Sequence, residues 1–216
     1  MSTTTLHRRL AALTVAGATG LALTVAGTPA EAAPARAGER SIAAVLAADG
    51  TKFDKKAGDL DILEAAVLAV LEADPESPVG LLADGSERAT AFAPTDAAFR
   101  ALVKDLTGKA PKKEAKVFST LAELAGVETV EAVLLYHVVV GKTLRSGKVV
   151  AAAEDGAEIE TAGGTVTLDL RKGEVVLMDA DPDDRDPRAI GRLLDLNKGN
   201  RQVAHGIDRV LRPLDL

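Results

Sequence analysis

The apolar residues of this 216-residue chain change their spacing near Tyr136. Between Leu60 and Leu135 they recur at intervals that place them along one side, or around most, of a helix. After Tyr136 they occur in β-branched runs and in alternation with polar residues, as strands require. Helices and strands that share one core form a mixed architecture, so the pattern predicts an α+β domain.

Caps and helix breakers divide the first part of this pattern. Thr95 is predicted to cap a helix that ends at Gly108, because its hydroxyl can accept a backbone N–H and the glycine can adopt a left-handed conformation. Asp74-Pro75 ends the preceding helix, and Gly126 ends the following one. The predicted elements are a helix at Asp59–Ala73, a strand at Thr90–Pro94, and helices at Thr95–Gly108, Val117–Gly126 and Thr129–Leu135.

Glycine-containing turns separate the strands of the second part. Gly163-Gly164 is predicted to join two strands into a hairpin, and Lys172-Gly173 to add a third. Tyr136 and His137 are neighbours on the first predicted strand, so we expect one side chain to be buried and the other exposed. The predicted strands are Tyr136–Val140, Ile159–Thr161, Thr165–Leu170, Val175–Met178 and Val203–Leu211.

The N-terminus carries the parts of an export signal. Arg8-Arg9 precedes an uncharged stretch, Leu10–Thr28, which is followed by small residues at Ala30 and Ala32. This order predicts a signal peptide at residues 1–32 with cleavage after Ala32, and glycines within the stretch disfavour a membrane anchor. Both the general and the twin-arginine export routes fit the basic pair. The remaining predictions are a flexible lead at residues 33–40 and a single domain at residues 41–213.

Composition excludes several classes of function. The absence of cysteine excludes disulfide scaffolds, cysteine-ligated zinc and cysteine nucleophiles. A net charge of −6 and an aromatic content of 2% argue against nucleic acid, which needs a basic face and stacking side chains. The sequence shows no nucleophile–base motif, so we predict that the protein is not an enzyme. No second stretch is apolar enough to span a bilayer, so we expect a secreted, extracellular product without stable membrane insertion.

Three segments follow one another in a characteristic order: TAFAPTDAAF at Thr90–Phe99, LLYHVV at Leu134–Val139 and HGIDRVLRP at His205–Pro213. Together they resemble the first conserved block, the Tyr-His motif and the second conserved block of a secreted bacterial fasciclin-like domain. The resemblance implies a wedge of two small antiparallel β-sheets wrapped by several α-helices. It also implies a non-catalytic adhesion or binding role at the cell surface or in the extracellular matrix.

The motif residues allow a structural and a functional interpretation. Asp96 is predicted to accept backbone N–H groups at a helix start, with ligand contact as the alternative. The resemblance links Tyr136 and His137 both to domain integrity and to partner binding, and we favour the structural role. His205 and Asp208 are predicted to be hydrogen-bonded structural groups on the last strand.

The connection before the last strand is longer than the family pattern, and it carries a cluster of acidic residues. Alternating carboxylates suit calcium, but Asp184 and Ile190 occupy the positions where an EF-hand has glycine and bidentate glutamate. We therefore favour a solvated acidic loop, with a calcium site as the alternative, and predict no cofactor. The acidic residues are Asp179, Asp181, Asp183, Asp184 and Asp186.

The nature of the partner leaves two functions open. The Arg-Gly-Asp triplet is absent, so the resemblance indicates only an unknown cell-surface or extracellular macromolecule. An alanine-rich interior with few aromatic residues either packs tightly or encloses a pocket. The alternative function is therefore an extracellular carrier of a small apolar ligand.

Overall fold

The computed structural model of the chain describes residues 36–50 and 53–214. Three short 3₁₀ helices lie at Ala47–Asp49, Pro78–Ala83 and Gly191–Leu193. The α-helices are α1 (Ile42–Leu46), α2 (Asp61–Ala73), α3 (Asp96–Thr107), α4 (Glu114–Tyr136) and α5 (Ser146–Glu154). The strands are β1 (Ala89–Pro94), β2 (Val138–Val140), β3 (Glu158–Thr161), β4 (Gly164–Arg171), β5 (Glu174–Met178) and β6 (Gln202–Ile207).

The predicted export signal, with its cleavage after Ala32, lies outside the described residues, and the predicted lead is described only from Arg36. Within the described part of the chain, every helix is too short or too polar to cross a membrane.

The strands form two three-stranded sheets. One has the order β2-β1-β6, and the other has the order β3-β4-β5. The α+β prediction is confirmed, but the prediction that both sheets are antiparallel is wrong for one pair. Strand β1 runs antiparallel to β2 and parallel to β6, in register from Ala89↔Gln202 to Pro94↔Ile207. A parallel pair needs a crossover connection, and the rest of the domain, from α3 to β5, supplies it.

Strand β1 separates two apolar cores because it is buried on both faces. Ala89, Ala91 and Ala93 pack with α2, α3 and α4, whereas Phe92 packs with the side chains of the second sheet. Alternate residues of a strand point to opposite faces, so small residues face the helices and the aromatic ring faces the sheet. The alanines let the helices approach the strand closely.

Glycine conformations explain two of the correctly predicted boundaries. Gly108 ends α3 with φ +70° and its N–H bonded to the Lys104 carbonyl. Gly126 interrupts α4 with φ +71°, which divides this long helix near the predicted point. Both values lie in the left-handed region that glycine adopts without strain.

Two parts of the strand prediction need correction. The last strand ends at Ile207 rather than Leu211, and helix α4 continues through Tyr136, so that β2 begins only at Val138. Helix α5 had no strong sequence signal: its N-cap, Arg145, makes no side-chain capping bond. The hairpin β3–β4 and strand β5 are confirmed.

Candidate functional site

The Tyr136–His137 pair lies at the junction between α4 and β2, and both side chains are buried. Tyr136 is 2% exposed and His137 is 3% exposed. The prediction that one of them is exposed on a strand is therefore wrong, because Tyr136 is the last residue of the helix and His137 is its C-cap. The Tyr136 hydroxyl donates to the Thr165 carbonyl at 2.8 Å, which ties the helix end to the second sheet.

His137 is held by two backbone groups. Its Nδ1 is 2.7 Å from the Val133 carbonyl, and its Nε2 is 2.9 Å from the backbone nitrogen of Leu211. The carbonyl needs a donor and the amide needs an acceptor, so the ring is the neutral tautomer with its proton on Nδ1. Burial lowers the pKa of His137 to about 4, although the hydrogen bond to the Val133 carbonyl by itself raises this pKa. The side chain locks the C-terminal segment onto the helix end.

His205 plays a similar part within β6. Its Nε2 is 2.7 Å from the Leu144 carbonyl, and its Nδ1 accepts the Asp195 N–H at 3.3 Å. Burial also lowers the pKa of His205. Both ring nitrogens thus bind backbone, and the ring connects β6 to the segments that contain Leu144 and Asp195.

Thr95 and Asp96 act at the starts of two different helices. Thr95 is the N-cap of α3, and its Oγ1 accepts the Ala98 N–H at 3.4 Å. Asp96 was predicted to accept N–H groups at a helix start, and its Oδ1 accepts the Ile62 N–H at 3.0 Å. That N–H belongs to the first turn of α2, whose own N-cap, Leu60, has no side-chain acceptor. Asp96 therefore joins α3 to α2.

The acidic segment, residues 179–186, is linked to arginines. Asp181 is 3% exposed and binds Arg212 Nη1 through Oδ2 at 2.9 Å. Arg212 Nη2 also contacts Asp184 at 3.0 Å, and Asp186 binds Arg171 at 3.0 Å. The prediction of a solvated loop is thus wrong for Asp181, whose carboxylate is buried against the Arg212 guanidinium.

Asp208 follows β6 and anchors the same connection. Its Oδ1 accepts the Arg188 N–H at 2.7 Å, and its Oδ2 binds Arg185 Nη2 at 2.7 Å. The predicted place on the last strand is wrong by one residue, since β6 ends at Ile207.

Sequence reasoning missed a basic groove of about 570 Å³. Four cationic side chains line it, and each is exposed: Arg88, Arg145, Lys148 and Arg201. Acidic residues are absent from the described lining, although the chain as a whole is acidic. The four cations come from three separate stretches of sequence, so no contiguous basic run indicated the groove.

A second concave region is an apolar cleft of about 380 Å³ between α2, α3 and α4. Its lining includes Phe99, Phe118 and Leu121, and two leucines at its margin, Leu106 and Leu124, are exposed. The volume falls in the range of small-molecule sites. The sequence left open whether this interior packs tightly or encloses a pocket, and the helical spacing of its apolar residues did not place an opening.

The family model described as the Fasciclin domain matches residues 79–213. Among solved structures, the chain is similar to a FAS1 domain pair from the insect cell adhesion molecule Fasciclin I, with 17% sequence identity and a TM-score of 0.44. This similarity covers 66% of the chain and 49% of that structure, so the chain spans about half of its length. The curated protein sequences gave no match.

The family match contains all three motif segments on which the sequence resemblance was based. Strand β1 with the start of α3, the end of α4 and strand β6 all fall within residues 79–213, and their hydrogen bonds join the helices to both sheets. Because the match covers more than half of the chain, this protein belongs to the fasciclin-domain family.

Proposed function

We propose that the protein is a secreted, non-catalytic fasciclin protein that mediates adhesion or binding at the cell surface or in the extracellular matrix. The observation that supports this proposal is the fasciclin-domain match over residues 79–213. The histidines of two motif segments support the proposal further, because His137 and His205 each direct both ring nitrogens to backbone groups. A ring whose two nitrogens are both hydrogen-bonded to backbone stabilises the fold and has no free nitrogen for proton transfer.

The domain boundaries at residues 41–213 are part of this proposal. The family match starts at residue 79, but α1 and α2 contribute Ile42, Leu46, Ile62 and Val67 to the same apolar core as α3 and α4. Helices that share one core are expected to fold together.

The basic groove is the proposed binding surface, and an acidic extracellular polysaccharide is the proposed partner. Arg145 and Lys148 lie at the start of α5, whereas Arg88 and Arg201 directly precede β1 and β6. Clustered cations at the same surface attract a polyanion and release its counterions, even when the protein carries a net negative charge. Tyr136 and His137 support this surface only indirectly, through their buried bonds.

The test is retention of the purified protein on washed cells and isolated envelope polymers at physiological salt. We expect saturable co-sedimentation that weakens as salt rises. The variant Arg145→Glu with Lys148→Glu should lose at least tenfold in apparent affinity. The matched control, Lys109→Glu with Lys112→Glu, makes the same charge change on exposed lysines outside the groove lining and should bind normally. Equal loss in both variants would reject the groove, and salt-independent or absent retention would reject the polyanion.

Secretion is tested separately. N-terminal sequencing of the protein recovered outside the cells should start at Ala33, directly after the predicted cleavage residue, Ala32. Recovery of an uncleaved, membrane-bound chain would contradict this part of the proposal.

The apolar cleft supports the second candidate function, an extracellular carrier of a small apolar ligand. Its floor is formed by buried core side chains such as Ile62 and Leu121, and its rim by Leu106 and Leu124. Native mass spectrometry of the protein purified from its source should then show a retained small molecule. The variant Ala125→Phe, which fills the lining, should remove it; reproducibly ligand-free protein would reject this candidate.

A further inference from the structure

Three carboxylates meet where helices α2, α3 and α4 begin. Asp59 precedes α2 by two residues, Asp96 is the first residue of α3, and Glu114 is the first residue of α4. One oxygen atom from each lies within 4.8 Å of the oxygens from the other two. The fold therefore brings together three acids that are far apart in the sequence.

These carboxylates are buried and largely without hydrogen-bond donors. Asp96 is 0% exposed and Glu114 is 1% exposed. Capping of α2 uses Asp96 Oδ1 alone, as described above. The buried oxygens that have no hydrogen-bond partner are Asp96 Oδ2, both carboxylate oxygens of Asp59 and both of Glu114.

The Arg100 side chain lies beside the cluster but directs its hydrogen bonds to other groups. Arg100 Nη2 is 3.8 Å from Glu114 Oε1, beyond hydrogen-bonding distance. Its Nε donates to the Pro111 carbonyl at 3.0 Å instead. The buried negative charge thus calls for a further positive group.

The backbone holds the acids in place. The Asp96 N–H donates to the Asp59 carbonyl at 3.1 Å, and the Ala97 N–H donates to the Ala57 carbonyl at 2.8 Å. These bonds fix the loop before α2 against the start of α3.

The surroundings of Asp96 favour its protonated form. Burial raises the pKa of Asp96 to about 8, and the neighbouring carboxylates of Asp59 and Glu114 act in the same direction. The cluster consequently favours any species that neutralises it, whether a proton or a cation.

We propose that Asp59, Asp96 and Glu114 form a binding site for a hard divalent cation, and that calcium is the ion that fits best. The available donors are carboxylate oxygens, which hard cations prefer. Calcium binds oxygens at about 2.4 Å and accepts bidentate carboxylates, so three oxygens that lie within 4.8 Å of one another can share one ion. Magnesium retains several waters, for which these buried oxygens leave little access. The ion would connect the starts of three helices.

The test is calcium titration of the purified, EDTA-treated protein by calorimetry, with melting temperature as a second readout. We expect one ion per chain, a Kd of about 0.1–1 mM as in other extracellular modules, and a rise in melting temperature of about 5 °C at 10 mM calcium. Magnesium at the same concentration should give less than half of this shift.

Variants distinguish this site from the acidic segment. Glu114→Gln and Asp59→Asn retain side-chain size and leave the Asp96 cap of α2 intact, and each should weaken calcium binding at least tenfold. Asp186→Asn removes a carboxylate from the acidic segment and should bind calcium as the unmodified protein does. Calcium binding that survives Glu114→Gln and Asp59→Asn would overturn the assignment. Absence of binding at 10 mM calcium would also overturn it and leave a shared proton as the neutralising species.

Discussion

The acidic segment at residues 179–186 and the carboxylates at the helix starts differ in how their charge is balanced. In the acidic segment, Asp181 is buried against the Arg212 guanidinium. At the helix starts, Asp96 and Glu114 are at least as deeply buried, yet Arg100 stands 3.8 Å away from Glu114 and bonds elsewhere. The acidic segment is thus neutralised by arginines from other parts of the chain, whereas the described contact between Arg100 and the helix-start acids is a loose one.

This difference shows why acidic density along a sequence is a poor guide to cation sites. The acidic segment has the alternating carboxylates that suit calcium. Its Asp181 nevertheless binds Arg212, and its Asp186 binds Arg171, and both arginines lie outside the segment. The helix-start cluster takes one acid from each of three elements, and five of its buried oxygens have no hydrogen-bond partner. A cation site requires unsatisfied oxygens that converge, and only the tertiary structure decides where they are.

Removal of Arg212 should have the largest effect, because it breaks the balance in the acidic segment. Arg212→Ala leaves Asp181 buried without its guanidinium, so we expect a loss of about 3–5 kcal/mol in the free energy of unfolding. Urea denaturation measures this loss. Adding Asp181→Asn should recover part of it, since no buried charge remains unpaired. A loss below about 1 kcal/mol would show that the two regions do not differ in this way.

The buried histidines should affect stability in a different pH range from the acidic segment. The pKa of His137 falls from 6.5 to about 4 on folding, so the unfolded chain takes up the proton first. The corresponding stability is complete above pH 6.5 and is lost as pH falls towards 4, by about 3 kcal/mol in total. His205 acts with the same sign. Asp181, whose pKa is lowered, loses its contribution only as pH falls below about 4.

The measurement is unfolding free energy between pH 4 and 7, together with the NMR shifts of the His137 ring. The ring should remain neutral at pH 5, and His137→Gln should flatten the acid limb. A ring that titrates near 6.5 in the folded protein would contradict its burial, and the acid limb would then have to come from the carboxylates.

Neutralising one helix-start acid should stabilise the metal-free protein. In EDTA, Glu114→Gln removes a buried charge that faces Asp59 and Asp96, so we expect a gain of about 1 kcal/mol at pH 7. Asp186→Asn should have the opposite sign because it breaks the pair with Arg171. Destabilisation by Glu114→Gln under these conditions would mean that the carboxylate already has a favourable partner.

The parts of the fold that could be predicted from sequence depend on local signals. Thr95 and Gly108 delimit α3 because a hydroxyl cap and a left-handed glycine act within one turn. The position of Tyr136 could not be predicted, since its β-branched successors suggested a strand while tertiary contacts extended the helix. The parallel β1–β6 pair and the meeting of Asp59 with Glu114 depend on long-range packing, for which spacing along the chain gives no signal.

The smallest effect is expected from removal of Arg171, which forms an exposed ion pair with Asp186 of the acidic segment. Arg171 pairs with Asp169 at 2.7 Å and with Asp186 at 3.0 Å, but its side chain is 45% exposed. Solvent and salt screen such pairs, so Arg171→Ala should cost less than about 0.5 kcal/mol, and this cost should vanish at high salt. Urea denaturation at low and high salt measures both values. A salt-resistant loss as large as that of Arg212→Ala would mean that the ion pairs act as one network; a small, screened loss would place the stabilising balance at the buried Arg212–Asp181 pair.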